Sequence, residues 1–145
     1  MTSNNKFKIV ICSFLLSFAF TCIDGEEVEL WGECYNIETT TYINLQNSGL
    51  TGLIPPEIGS LVNLTHLELD HNFLSGSIPS ELGNLINLVQ LELDHNNLTG
   101  EIPLEIGGLI GLVQLELDHN NLIGEIPSEL GNLINLTFLN FEANQ

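Results

Sequence analysis

The chain has 145 residues, 43% of them hydrophobic, and 19 acidic residues against two basic ones give a formal net charge of −17. This length suits one domain, and the apolar content excludes a wholly disordered chain. The basic residues, Lys6 and Lys8, both lie near the N-terminus. Because phosphate binding needs Lys and Arg, nucleic acid is not an expected partner. A cationic partner or ion is favoured, although the charge can also serve solubility alone.

The N-terminal segment is typical of a secretory signal peptide. Lys6 and Lys8 precede an apolar run, residues 9–20, which is shorter than the roughly 20 residues of a transmembrane helix. We predict a signal peptide at 1–21, with cleavage as late as Gly25. An uncleaved anchor and a lipoprotein acylated at Cys22 are the alternatives. Cleavage would leave a mature chain with no Lys or Arg and no membrane-inserted segment.

Residues 22–36 are predicted to form an N-terminal cap over the repeats that follow. Trp31, Cys34 and Tyr35 are the large side chains available to cover the open end. Cys22 and Cys34 can pair in an oxidising compartment if cleavage leaves both. If Cys22 is removed, Cys34 is an odd cysteine, either buried or paired with another chain.

A repeat fills residues 37–145. The sequence Leu-Glu-Leu-Asp-His-Asn begins at Leu67, Leu91 and Leu115, every 24 residues. A fixed period of this length predicts a solenoid of stacked coils. Repeats 61–84, 85–108 and 109–132 are complete, while 37–60 is degenerate and 133–145 is partial.

Each repeat has a physical interpretation. The alternation at 67–69 predicts a half-buried strand, Gly76 allows a tight backbone path, and Pro79 sets the return turn. Residues 80–84 are too few for a stable α-helix and suit a 3₁₀ turn. Beyond each strand, an asparagine amide can bond the turning backbone. These structural asparagines are Asn72, Asn96, Asn120 and Asn144.

The pattern LxxLxxLxLxxNxLxGxIPxxLGxL, matched by residues 85–109, resembles the plant-type leucine-rich repeat family. The resemblance covers residues 31–145. It implies an α/β repeat solenoid, a right-handed superhelix with one parallel strand per 24-residue coil on the concave face and 3₁₀ or irregular turns on the convex side. Family members are receptor-like kinase ectodomains, secreted inhibitors of microbial enzymes and bacterial surface proteins. Trp31-Gly32-Glu33-Cys34 resembles half of the family's cap motif, whose first cysteine is missing at its usual spacing.

Outward-facing strand residues and the residues after them are the candidate ligand-binding set. Neighbouring parallel strands lie about 4.8 Å apart, so residues one repeat apart form columns. Six carboxylates are expected in a double acidic column with imidazoles at its edge, facing a basic protein or peptide. A divalent cation and a solvated face without a ligand are alternatives; we assign no metal ligand and no cofactor. The columns are His66, Gln90 and Gln114; Glu68, Glu92 and Glu116; Asp70, Asp94 and Asp118; and His71, His95 and His119.

Catalysis is not expected. The adjacent Asp and His residues recur three times along a flat ladder, whereas a catalytic site needs one convergent geometry. The sequence has no G-x-S-x-G, H-E-x-x-H or P-loop motif. Three N-x-T sequons, at Asn63, Asn97 and Asn135, are candidate N-glycosylation sites in a eukaryotic secretory route.

We therefore predict a secreted or cell-surface leucine-rich-repeat module that recognises a protein or peptide through an acidic concave face. One alternative is a truncated ectodomain of a receptor-like kinase or other signalling receptor, suggested by the partial last repeat. Another is a structural surface protein without a specific ligand. An uncapped last coil would expose a strand edge, which predicts self-association.

Overall fold

The main sheet is built from one short strand per coil. The structure is a computed structural model that describes residues 22–145; the predicted signal peptide at 1–21 lies outside them. Leu67 lies opposite Leu91, and Leu91 opposite Leu115, so equivalent residues align in columns. The sheet is parallel, in the order β11-β9-β7-β5-β3. Its strands are β3 (Tyr42–Asn44), β5 (His66–Glu68), β7 (Gln90–Glu92), β9 (Gln114–Glu116) and β11 (Phe138–Asn140).

A second parallel sheet follows the turn after each main strand, in the order β10-β8-β6-β4. The repeat pattern predicts irregular turns in this stretch. In it, Phe73 is exposed and Leu74 is fully buried, but so short an alternation is not distinguishable from a turn in the sequence. Its strands are β4 (Thr51–Gly52), β6 (Phe73–Ser77), β8 (Asn97–Gly100) and β10 (Asn121–Leu122).

Short 3₁₀ helices close each coil. They are η1 (Pro56–Ser60), η2 (Ser80–Asn84), η3 (Leu104–Gly108) and η4 (Ser128–Asn132). Pro79, with φ of −71° and an extended ψ, directs the chain into η2, at the segment the sequence predicted as 3₁₀. Throughout residues 22–145 every helical segment is 3₁₀, so the α part of the expected α/β architecture consists of single turns. None of these helices has the length and apolar character to cross a membrane.

The core is a stack of leucines enclosed by the two sheets and the 3₁₀ helices. Leu67, Leu69, Leu74 and Leu82 are all fully buried, and the next coil repeats the arrangement. Burying a leucine side chain contributes about 1.5–3 kcal/mol. Each coil buries its leucines against its neighbours, so the stability of one coil depends on its contacts with the adjacent coils.

Buried asparagines tie each coil to the preceding one. Asn96 Nδ2 donates to the carbonyl oxygens of Leu69, at 3.0 Å, and Leu93, at 3.1 Å. Its Oδ1 accepts from the Leu74 N–H at 3.0 Å. An unpaired buried backbone group costs about 1–3 kcal/mol, so this amide satisfies groups that the short strands leave free. Asn72, Asn120 and Asn144 make equivalent bonds.

An antiparallel hairpin caps the first coil. Strands β1 (Glu27–Leu30) and β2 (Glu33–Asn36) are joined by Trp31 and Gly32. Both turn residues have positive φ, 50° and 85°, as a two-residue type I′ turn requires. Cys22 and Cys34 form a disulfide with Cα atoms 5.5 Å apart, which ties the start of this segment to β2.

The cap covers the core with Val28 and Leu30 in addition to the expected Trp31 and Tyr35, which pack against it while partly exposed. Val28 and Leu30 are the buried residues of the hairpin, with Leu30 completely inaccessible, and β1 packs against η1. Trp31 and Tyr35 are half-buried at the margin, and Cys34 is exposed. The alternation of residues 27–30 is too short for the sequence alone to predict β1, because four residues give a weak period-2 signal.

Candidate ligand-binding face

A column of glutamates runs along the outer face of the five-stranded sheet. In β7 Leu91 points into the core, so Gln90 and Glu92 point outward. The register carries this pattern from strand to strand and places Glu68, Glu92 and Glu116 side by side. All three are half-buried between their neighbours. The column is therefore set by strand alternation together with the 24-residue repeat.

Glutamine amides lie between these carboxylates. Gln90 Nε2 donates to Glu92 Oε1 at 2.6 Å. Gln114 Nε2 donates to Glu92 Oε1 at 2.7 Å and to Glu116 Oε1 at 2.5 Å. These neutral amide donors partly offset the repulsion between the carboxylates of Glu92 and Glu116. The sequence placed the glutamines on this face but did not show that they bond the glutamates; their i, i+2 spacing on a strand is the signal that it offered.

The first coil supplies different donors. Tyr42 OH donates to Glu68 Oε1 at 3.0 Å, and Asn44 Nδ2 donates to Glu68 Oε2. His66 Nδ1 lies 2.9 Å from Thr65 Oγ1, and its ring meets that of Tyr42 edge-on at 5.7 Å. Glu68 therefore ends the glutamate column against neutral polar groups.

The pKa values of Glu92 and Glu116 are both raised above their ordinary value. Partial burial is the largest cause at both positions, since it penalises the charged form. Hydrogen bonds from Gln90 and Gln114 oppose the shift. Neighbouring carboxylates reinforce it: Asp70, Glu116 and Glu68 around Glu92, and Asp94, Asp118 and Asp70 around Glu116.

The aspartates do not form the second exposed acidic column that the sequence predicted. Asp70, Asp94 and Asp118 are only 3%, 7% and 5% exposed. The Oδ2 atom of each lies 3.0, 2.9 and 2.7 Å from Nδ1 of the following histidine. The backbone turns directly after each strand and brings the next side chain over the carboxylate. The exposed anionic groups of the central coils are thus glutamates, with aspartates beneath imidazoles.

The imidazoles of His71, His95 and His119 form a stacked ladder. Their ring centroids are 4.3 and 4.2 Å apart and the planes are tilted by 10° and 13°. Their φ angles of 55°, 52° and 51° lie in the left-handed region, which costs a non-glycine residue about 1–2 kcal/mol. Asn47 and Ala143 hold the equivalent left-handed positions in the flanking coils. The backbone turn, not strand alternation, positions this ladder.

The three sequon asparagines are all exposed. Asn63 Nδ2 donates to the Glu38 carbonyl at 2.9 Å, and Asn135 Nδ2 donates to the Ile110 carbonyl at 2.7 Å. Those two amides connect adjacent coils. Asn97 lies at the start of β8.

Comparison with protein families identifies the repeat. The model described as Leucine Rich Repeat matches residues 39–61, 63–85, 87–109 and 111–133. The chain belongs to the leucine-rich repeat family. Each of the four matched repeats contains one strand of the main sheet. The comparison with curated proteins gives no match.

Solved plant structures share this leucine-rich repeat fold. The plant peptide hormone receptor RGFR1, in complex with RGF2, is 41% identical with a TM-score of 0.65, over 66% of this chain and 15% of that one. A chain of the BIR3–SERK2 complex from Arabidopsis thaliana is 37% identical with a TM-score of 0.71, over 83% and 63%. A plant ice-binding protein is 32% identical with a TM-score of 0.64, over 83% and 38%. The chain thus spans less than two thirds of the length of each of these structures. The similarity confirms the predicted plant-type repeat solenoid.

Proposed function

We propose that this chain is an extracellular leucine-rich repeat module that binds a basic peptide or protein segment across its five-stranded sheet. The observation that carries the proposal is the glutamate column, in which burial and like charges raise the pKa of Glu92 and Glu116. A similar plant structure is a peptide hormone receptor in complex with RGF2. The Cys22–Cys34 disulfide supports an oxidising, extracellular compartment.

A cationic partner is favoured by charge complementarity. Residues 22–145 contain neither Lys nor Arg, so this part of the chain offers no long cationic side chain to Glu68, Glu92 and Glu116. A Lys or Arg from a partner would make charge-assisted hydrogen bonds, which are stronger than neutral ones. It would also relieve the repulsion along the column. The repeat of one glutamate per coil suits an extended segment laid across the strands.

The proposed roles differ by column. Glu68, Glu92 and Glu116 contact the cationic groups directly, and the neighbouring His66, Gln90 and Gln114 side chains add neutral hydrogen bonds. The half-exposed imidazoles border the contact. The buried aspartates position the imidazoles through the Nδ1 to Oδ2 contacts. Binding, not catalysis, is what three equivalent His–Asp pairs on a flat ladder support.

A charge-reversal pair tests the proposal. Glu92→Lys places a cation in the centre of the column, while Glu125→Lys makes the same charge change at an exposed position outside the sheet. With short oligolysine as the probe, we expect Glu92→Lys to weaken binding at least tenfold and Glu125→Lys to weaken it less than threefold. Binding by the unmodified chain should fall steeply with salt. Equal losses in both variants would show that net charge alone attracts the probe.

A second candidate, ice binding, is favoured by an exposed apolar column and by the similarity to a plant ice-binding protein. The column has one aliphatic residue per coil, and neighbouring coils are separated by the strand spacing of about 4.8 Å. Its members are Val62, Ile86, Ile110 and Ile134, which are 43%, 66%, 61% and 84% exposed. An ice recrystallisation assay tests it: the chain should slow crystal growth and an Ile86→Glu, Ile110→Glu variant should not. Equal growth with both proteins would eliminate this candidate.

A further inference from the structure

We propose that the stacked imidazoles and the aspartates beneath them bind one divalent transition-metal ion, such as Zn²⁺, at either of two overlapping sites. The first site is His71, Asp94 and His95. The second is His95, Asp118 and His119. In each set, one ligand atom per residue lies within 4.8 Å of the others.

The first site is defined by distances around one carboxylate oxygen. Asp94 Oδ2 lies 2.9 Å from His95 Nδ1 and 3.8 Å from His71 Nδ1. Ligand atoms at zinc bond lengths of about 2.0–2.1 Å in a tetrahedron are roughly 3.3 Å apart. The observed separations bracket this value. Since the side chains of His71 and His95 are 51% and 41% exposed, their rings have room to tilt out of the parallel stack so that both nitrogens face one ion.

The second site adds an unsatisfied polar atom. Asp118 Oδ2 lies 2.7 Å from His119 Nδ1, and the Asp118 side chain is only 7% exposed. Its other oxygen, Oδ1, is buried and accepts no hydrogen bond from the part of the chain that the structure describes. An unpaired buried carboxylate oxygen is costly. A cation held by this carboxylate would compensate that cost.

The donor set determines which cation fits. Two imidazole nitrogens and one carboxylate oxygen suit Zn²⁺, Cu²⁺ or Ni²⁺, whereas Ca²⁺ and Mg²⁺ prefer oxygen ligands. Without metal, each Nδ1–H donates to the aspartate Oδ2. The ion takes the place of this proton at Nδ1. The displaced proton passes to solvent while solvent delivers one proton to Nε2, so the imidazole stays neutral with no net change in bound protons. Both sites use the His95 side chain, so we expect only one ion to bind at a time.

Calorimetric titration of the chain with Zn²⁺ tests the shared-ligand geometry. We expect one ion per chain. His95→Asn removes a ligand from both sites and should lower the affinity at least tenfold. His71→Asn removes only the first site and His119→Asn only the second, so each should lower the affinity less than His95→Asn does. Asparagine suits these positions because Asn47 has the same left-handed conformation, with φ of 51°.

Controls separate this site from nonspecific attraction to an acidic protein. His66→Asn, whose ring lies against Thr65 and Tyr42, should bind Zn²⁺ as the parent does, and equimolar Ca²⁺ should not compete. The double variant His71→Asn, His119→Asn keeps only His95 and should lose at least tenfold, which tests the proposal independently of how His95→Asn folds. Unchanged affinity in His95→Asn or in the double variant would overturn the proposal, as would displacement of Zn²⁺ by Ca²⁺.

Discussion

At the scale of single residues, Glu92 lies at the centre of the glutamate column. Glu68 and Glu116 lie on either side of it in register, and amides from Gln90 and Gln114 converge on its Oε1. The pKa of Glu92 nevertheless remains raised, chiefly by partial burial and further by the carboxylates of Asp70, Glu116 and Glu68. The free face therefore holds unfavourable charge that a cationic ligand would neutralise, which links the local electrostatics to the proposed binding.

Replacing Glu92 with glutamine should stabilise the chain in a pH-dependent way. A raised pKa means that the folded state holds the proton more tightly than the unfolded state, so ionisation costs stability as the pH rises through that pKa. Glu92→Gln keeps the Oε1 acceptor and removes the charge. We expect a gain of about 0.5 kcal/mol in the free energy of unfolding at pH 7.

Urea denaturation at two pH values measures this effect. The gain should disappear below the ordinary glutamate pKa of 4.5, where both proteins are neutral at this position. Glu125→Gln, at an exposed site outside the sheet, is the control and should change stability little at either pH. A gain in Glu92→Gln that persists undiminished at pH 3.5 would contradict the electrostatic account.

At the scale of elements, the 3₁₀ helices pack so closely that a glycine is required between them. A Cβ on Gly83 in η2 would lie 2.5 Å from Glu105 Cβ and 2.9 Å from Glu105 O in η3. Gly131 occupies the same place in η4, within an identical Ser-Glu-Leu-Gly-Asn sequence. A Cβ there would meet nothing within 4 Å. The constraint thus comes from the neighbouring coil and not from the local conformation.

Alanine at these two glycines should have opposite effects. Gly83→Ala forces the backbone of Glu105 to shift and should lower the free energy of unfolding by about 1–3 kcal/mol. Gly131→Ala meets no atom and restricts the unfolded chain, so it should leave stability unchanged or raise it by up to about 1 kcal/mol. Thermal or urea unfolding of the two variants measures the difference. Equal losses in both would show that local conformation, not coil packing, selects glycine.

The sequence predicts strands and 3₁₀ turns where the periodic pattern is strong. It does not predict side-chain burial that depends on the backbone conformation of a neighbouring residue. Alternation around Leu91 and the 24-residue repeat predicted the main sheet, and the short segment after Pro79 predicted η2. The burial of Asp94 was not predictable, because it depends on the left-handed backbone of His95, which turns the imidazole over the carboxylate. The 24-residue repeat aligns the glutamates, aspartates and histidines in columns, but the left-handed turn after each strand determines which of these side chains are exposed.

At the scale of the whole molecule, β11 is the last strand of the described stack. Within residues 22–145, β11 pairs only with β9. Leu139 holds the core position occupied by Leu115 one coil earlier, yet it is 46% exposed while Leu115 is fully buried. The neighbouring Phe138 is 48% exposed. Unpaired backbone and apolar side chains together form a surface suited to pairing with another strand.

We predict that a protein consisting of residues 22–145 self-associates through this edge. Light scattering in high salt, where the repulsion between acidic chains is screened, should show a molar mass that rises with concentration. Leu139→Lys should remain monomeric, because a charge on an edge strand opposes pairing. Glu125→Lys controls for the added charge and should associate as the parent does. A parent that stays monomeric at all concentrations would contradict the prediction.

The central claim, that the glutamate face of the five-stranded sheet is the binding surface, is tested most directly by NMR mapping with oligolysine. We expect the largest amide shift changes at Gln90, Glu92, Gln114 and Glu116, with little change at Ile86 and Ile110 on the exposed apolar column. Shift changes spread evenly over all acidic residues, or concentrated on the apolar column, would contradict the claim.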